Sequence, residues 1–311
     1  MIVTILMEEV MQRFALALIL AVAAPAAARA EMQELMLPVV VNGYVREPLH
    51  YQTTFRFVNL SAVPAEVTLE AYQNDGTATR ILELFPVPRA GTTTVFRIEP
   101  LGSVEAFTYG DVPAFNGWAR LTFDASVTIQ ASAEVALINA PVGPHPICRR
   151  PSTEIATAVS FPAVRAAAKL GGVAAILSTR EGAYAIVNPS PAESATVYLS
   201  LLDPTGKLVA ANTIEIAPQA RACKFLSGLV PGAPPDFMGS LRITGSIPVG
   251  AGAVNVVFPD GLFVDVGIGT PPGAVCIQVV TPARNPLTGE CRDFPTPCDV
   301  PDGWEKVASC K

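Results

Sequence analysis

Self-similarity is the feature that most constrains what this chain can fold into. Leu37-Pro38-Val39 is echoed by Phe161-Pro162-Ala163, and Phe57-Val58-Asn59-Leu60-Ser61 by Ile186-Val187-Asn188-Pro189-Ser190, at offsets of 124 and 129. Val67, Leu69, Ala71 and Gly76 match Val197, Leu199, Leu201 and Gly206 at an offset of 130, with Asp75 and Asp203 in the two turns. Ile98-Glu99-Pro100 then answers Ile216-Ala217-Pro218, and Gly117-Trp118-Ala119-Arg120-Leu121 answers Gly239-Ser240-Leu241-Arg242-Ile243, before Val127 answers Val249. Anchors that keep one order imply duplication of a single folding unit, with loop-length changes absorbing the drift in offset.

Inside each copy the apolar period is two. Val67, Leu69 and Ala71 alternate with Glu66, Thr68 and Glu70, the pattern of a strand with one face on a core. In the first copy this spacing predicts strands near residues 35–41, 53–59, 65–72, 93–98, 103–107, 117–123 and 129–138. Asn74-Asp75-Gly76 and Asp203-Pro204-Thr205-Gly206 supply the turn residues of a hairpin common to both copies. The 29 prolines and 23 glycines are scattered without a period, which argues against collagen and long helices and for many turns. The expected fold class is all-β: two tandem Ig-like β-sandwich domains followed by a small disulfide-rich tail. The Val-Asn-Leu/Pro-Ser step, the Asp-Gly turn, Ile-x-Pro and Gly-x-x-Arg-Leu/Ile resemble tandem immunoglobulin/fibronectin-like β-sandwich repeats of secreted bacterial proteins. That resemblance covers residues 36–140 and 156–266. It implies structural, adhesive or presenting modules and carries over no catalytic residue.

The N-terminus reads as an address. Arg13 precedes the apolar run from Phe14 to Ala24, followed by Pro25 and small residues ending Ala28-Arg29-Ala30, so a signal peptide cut near Ala30 is expected. Glu8 and Glu9 sit badly in a positive leader, which leaves Met1 and Met11 as alternative starts. The apolar stretch is too short to span a bilayer and no later run is longer, so no membrane span is expected in the mature chain. The expected location is periplasmic or secreted. The organisation predicted is residues 1–30 signal peptide, 31–141 first β-sandwich, 142–155 Pro-rich linker, 156–270 second β-sandwich and 271–311 Cys-rich tail. Three prolines before Ile147 make that linker extended and stiff, and Arg149-Arg150 within it form a conceivable processing site.

Six cysteines in an exported chain read as disulfides. Cys276, Cys291, Cys298 and Cys310 lie in the tail at spacings too wide for zinc, so two disulfides are expected there, with three connectivities open. Cys148 and Cys223 are expected to pair and tie the linker to the second sandwich, the alternative being two buried thiols.

Chemistry is sparse. A net charge of −6 with no basic stripe gives no electrostatic basis for nucleic-acid binding. His50 and His145 are the only histidines, are expected in loops, and stand in no nucleophile–base or metal-ligand motif. No catalytic residue, metal or cofactor is predicted. Trp118, Arg120 and Trp304 are weak ligand-contact candidates, with core packing the competing reading for Trp118; Arg120 and Arg242 are expected to reach solvent or a neighbouring strand. The functional expectation is a non-enzymatic exported structural, adhesive or presenting protein, its partner a protein or a cell-surface or matrix component. The alternatives are protease inhibition through the tail and an extracellular enzyme with a loop-built site.

Overall fold

The structure is a computed structural model and describes residues 31–80, 91–110, 115–143, 145–258, 262–266, 268–269 and 279–310. The signal peptide expected over residues 1–30, Cys276 and the side chain of Cys148 therefore lie outside what is described. Gln33–Lys311 form one compact unit.

The fold is all-β, as the period-two pattern predicts. The first sheet contains β1 (Met32–Arg46), β2 (Leu49–Asn59), β3 (Ala65–Gln73), β4 (Ala78–Thr79), β5 (Thr93–Ile98), β6 (Ser103–Phe107), β7 (Phe115–Asp124), β8 (Ile129–Asn139) and β9 (Ile155–Pro162). Its order is β4-β3-β7-β1-β2-β8-β9, with β5 added on β3 and β6 on β2. Phe55, Phe57, Val67, Leu69, Phe96, Leu121 and Phe123, drawn from four of these strands, meet in its core. All seven strands predicted for the first copy are present.

The second sheet contains β10 (Ala167–Leu177), β11 (Arg180–Val187), β12 (Ala195–Leu202), β13 (Leu208–Ile216), β14 (Arg221–Phe225), β15 (Phe237–Val257), β16 (Leu262–Val266) and β17 (Ile268–Gly269). Its order is β13-β12-β15-β10-β11-β14, with β16 added on β15 and β17 on β10. The 21-residue strand β15 does the work of β7 and β8 together: Ser240–Gly245 pair with β12, and Gly250–Val257 pair with β11.

The repeat anchors fall into matching registers. Leu69 pairs with Leu121 and Leu199 with Ile243; Phe57 pairs with Val104 and Ile186 with Ala222. A Cβ on Gly117 would stand 2.1 Å from the Tyr72 carbonyl oxygen, and one on Gly239 stands 2.1 Å from that of Leu202, so both positions need glycine for the same close approach. Asn59 and Asn188, both fully buried, repeat one device. Each Nδ2 donates to the carbonyls of the following turn and of the Ile-x-Pro step (Val63 at 2.7 Å and Glu99 at 3.2 Å; Glu193 at 2.8 Å and Ala217 at 3.0 Å). Each Oδ1 accepts from the serine two residues on.

Two anchors are corrected. Asn59 pairs with Ile129 and Val187 with Gly250, so the counterpart of Val249 is Ile129, not Val127. The second copy connects the two segments in fewer residues, and the break between β7 and β8 becomes one continuous strand. Phe161-Pro162-Ala163 is not the counterpart of Leu37-Pro38-Val39 either. Phe161 lies in β9 and pairs with Ala133 of β8, so this strand, within the range assigned to the second sandwich, extends the first sheet.

The linker is docked rather than free. Ile147–Arg149 form a 3-10 turn, and Ile147 packs on Ala136, Ile138 and Ala140. Arg150 is buried, donating to Glu154 at 3.3 Å and to the Gly143 carbonyl at 3.2 Å, which removes this dibasic pair from the setting a processing site needs. His50, expected in a loop, is a fully buried residue of β2, whereas His145 is exposed outside the regular elements.

The tail strands β18 (Thr281–Arg284), β19 (Cys291–Phe294) and β20 (Glu305–Lys306) form a third sheet in the order β19-β18-β20. Cys291 and Cys310 are disulfide-bonded, which selects among the open connectivities, and Cys298 is disulfide-bonded as well.

A candidate binding cleft between the two sheets

The inner face that covers the first core continues beyond it. Along β8, Ala131 and Ala133 lie in that core, and two residues further Val135 joins Val159 and Phe161 of β9 with Val39, Val41 and Tyr51. Opposite them stands the outer face of the second sheet. On β15 Ala251 and Ala253 point into the second core, and Val254 and Val256, further along the same strand, face the first sheet. Ala183 of β11 and Cys223 and Phe225 of β14 complete that wall.

At one end the sheets touch. A Cβ on Gly252 would stand 2.6 Å from Pro38 Cγ, and one on Gly250 2.8 Å from Met36 Sδ. Toward Val254 and Val256 they part and enclose a cavity of about 410 Å³. Phe225 and Phe258, both roughly two-fifths exposed, bring their rings to 6.3 Å beyond Val256.

Polar contacts lock the closed end. Arg221 is 4% exposed, and its guanidinium donates to Asn74 Oδ1 (2.9 Å), the Pro38 carbonyl (3.0 Å), Asn116 Oδ1 (2.5 Å) and the Gly117 carbonyl. Every one of these acceptors is neutral and lies in the first sheet or its turns. Burial pulls the Arg221 pKa down and the neighbouring Cys223 acts against it; the four acceptors keep the guanidinium charged. Trp118 Nε1 donates to the Gln219 carbonyl at 2.8 Å, and Arg120 donates to the Pro189 carbonyl at 2.5 Å while lying over the Tyr72 and Trp118 rings. Met36, Tyr72, Trp118 and Val187 pack together around this lock.

The sequence candidates therefore separate. Trp118 is fully buried and Arg120 bridges it to Glu34 (3.5 Å) and to the second sheet, so their contact surface is taken up within the chain. Trp304 is 8% exposed, edge-on to Tyr198 and Phe294 at 5.6 Å each. Asp302 reaches Lys169 at 3.5 Å and Arg242 at 3.8 Å, and Arg292 donates to the Tyr198 hydroxyl at 2.9 Å, which seats the tail on the second sheet. The expected pairing of Cys223 is not made: it is a free, exposed thiol, because the pairing of β14 with β11 turns it toward the cleft.

The cleft wall offers little acid–base chemistry. Among its described lining residues the polar groups are Tyr51, Asn116, Cys223 and Lys224, with no histidine or carboxylate. Burial raises the Tyr51 pKa, so its phenol stays neutral, and the Asn116 carbonyl oxygen is already held by Arg221. Among the described residues no three His, Cys, Asp or Glu side chains converge as a metal site.

Reading one strand at a time misses this cleft. A signal was present nonetheless: Val254, Val256 and Val257 keep the end of β15 apolar on both faces, and Phe258 follows directly, the mark of a strand with both faces covered. Comparison of the chain with known protein families, with curated proteins and with solved structures gives no match.

Proposed function

We propose that this chain is an exported, non-catalytic binding protein that takes an apolar ligand into the cleft between its two sheets. The cavity carries the reading. At about 410 Å³ it falls within the roughly 300–1,000 Å³ of small-molecule sites. Valine and phenylalanine side chains dominate its wall, and the Arg221 and Trp118 contacts hold that wall rigid. Preformed apolar concavity favours burial of an apolar guest over chemistry upon it. The Cys291–Cys310 bond and the N-terminal apolar run support export to an oxidising compartment.

Titration with the neutral fluorophore N-phenyl-1-naphthylamine tests this reading. Saturable one-to-one enhancement is expected, lost in Ala183→Trp, whose indole fills the cavity. An absence of saturable binding, or equal binding by the filled variant, overturns it.

A further inference from the structure

We propose that copies of this chain associate in a row: the tip of the first repeat of one chain docks on the second repeat of the next, as the tip of the second repeat docks on the first within each chain. None of the residues involved lines the cleft.

The internal joint carries the step. The tip of the second repeat offers the Pro189 and Gln219 carbonyls to Arg120 and Trp118. It also lies against the turn between β3 and β4, where a Cβ on Gly76 would stand 2.6 Å from the Pro218 carbonyl oxygen. Each repeat thus has a tip that can dock and a face that can receive one, and two repeats with one joint leave one of each over. The tip left over is that of the first repeat, where Leu60 and Leu101 hold the places of Pro189 and Gln219. Leu60, Val63 and Leu101 are each at least half exposed. The face left over is that of the second repeat, where Met238 and Ser240 hold the places of Asn116 and Trp118. Met238 of β15 and Val173, paired with Ser240 from β10, alternate with core residues and are each at least half exposed. Gly206, the counterpart of Gly76, has nothing among the described residues within 4 Å of a Cβ. The tail sits beside this patch, holding Arg242 through Asp302, and leaves Met238 and Val173 exposed.

A second copy is the occupant that the repeat itself specifies, because corresponding surfaces already meet once inside each chain. Ser240 lacks the indole donor of Trp118, so the contact between chains rests on burial of leucine, valine and methionine and belongs with small, transient interfaces. Tip and face are different surfaces, so the association is heterologous and adds copies in sequence.

Sedimentation of the intact chain tests this, with Cys223 alkylated so that its thiol cannot link two copies. Weight-average mass should rise from monomer at about 1 μM to dimer and larger at about 0.5 mM. Leu101→Glu puts a charge on the tip and Met238→Glu puts one on the face, both at exposed positions, and circular dichroism should show each variant folded. Each variant alone should stay monomeric. An equimolar mixture of the two keeps one intact tip and one intact face, so it should form dimers and stop there. A native chain that is monomeric at about 0.5 mM overturns the proposal. So does association that survives in either variant alone, or a mixture that stays monomeric.

Discussion

The indole Nε1 of Trp118 donates to the backbone carbonyl of Gln219 at 2.8 Å, joining a strand of the first sheet to a turn of the second. Gln219 holds a positive φ of 58°, and its counterpart Leu101 a φ of 56°, each after the proline of an Ile-x-Pro step. The turn belongs to both copies, but only the second offers its carbonyl to a tryptophan. Trp118→Phe keeps most of the ring contact with Tyr72, at 4.7 Å between centroids, and leaves that carbonyl without its donor. The expected loss is about 1–3 kcal/mol. Trp118→Ala, which also opens a cavity, should lose about 3–5 kcal/mol. Urea unfolding reads both, and a Trp118→Phe variant as stable as the native chain would mean that the hydrogen bond contributes nothing.

Asn59 and Asn188 make equivalent bonds in the two copies, so their substitutions should behave alike. Asn59→Asp and Asn188→Asp keep the acceptor for the serine N–H and lose the amide donor, turning a carboxylate toward backbone carbonyls. Each is expected to destabilise by about 2–4 kcal/mol. Ser would be a milder change at either site. If one aspartate variant unfolds at the native urea midpoint, the two networks are not energetically equivalent.

These asparagines show how much was legible in the sequence. Their motif, the hairpin turns and the alternation in β3 are local, and local patterning placed seven strands of the first copy, though not the two-residue β4. What it could not place were relations between distant segments. Arg120 and Arg242 occupy the same anchor, yet the first is clamped over Tyr72 and Trp118 and the second is held by Asp302 of the tail. Arg221 carries no motif, because its acceptors are mostly backbone carbonyls and amide oxygens more than a hundred residues away. The cleft is formed by faces that meet only after both sheets have folded.

Acid should weaken the turns shared by the copies. In Asp203, hydrogen bonds from the Thr205 side chain (2.6 Å) and the Lys207 backbone (3.0 Å) hold the carboxyl below its ordinary value. Asp75 is lowered in the same way by Thr77. A folded pKa below the unfolded one contributes stability above the unfolded value, near 3.8, that disappears as pH falls through the folded value. Glu34 acts in the opposite sense: burial outweighs Arg120 and raises its pKa, so its contribution is present at low pH and disappears as pH rises through the folded value. Asp203→Asn, whose amide oxygen still accepts, should therefore flatten the acid limb of a plot of urea midpoint against pH below about pH 4. An unchanged limb would show that this turn is not among its sources.

Gly252 sets how closely the two sheets approach. A Cβ there would stand 2.6 Å from Pro38 Cγ and 3.6 Å from Phe161 Cδ1, inside ordinary contact with a rigid ring. Neither Pro38 nor the strand that carries it can yield without moving the Arg221 bond to the Pro38 carbonyl. Gly252→Val should destabilise by about 1–3 kcal/mol through overpacking. It should also act on the cleft, because a wedge at the closed end tilts the sheets apart and exposes Val135 and Val159 to water. N-phenyl-1-naphthylamine affinity should fall and alkylation of Cys223 should quicken, while Gly206→Ala, at an open turn with a φ of 85°, should lower stability without changing either. If Gly252→Val loses stability yet binds the fluorophore as the native chain does, the separation of the sheets at Gly252 does not govern the cavity.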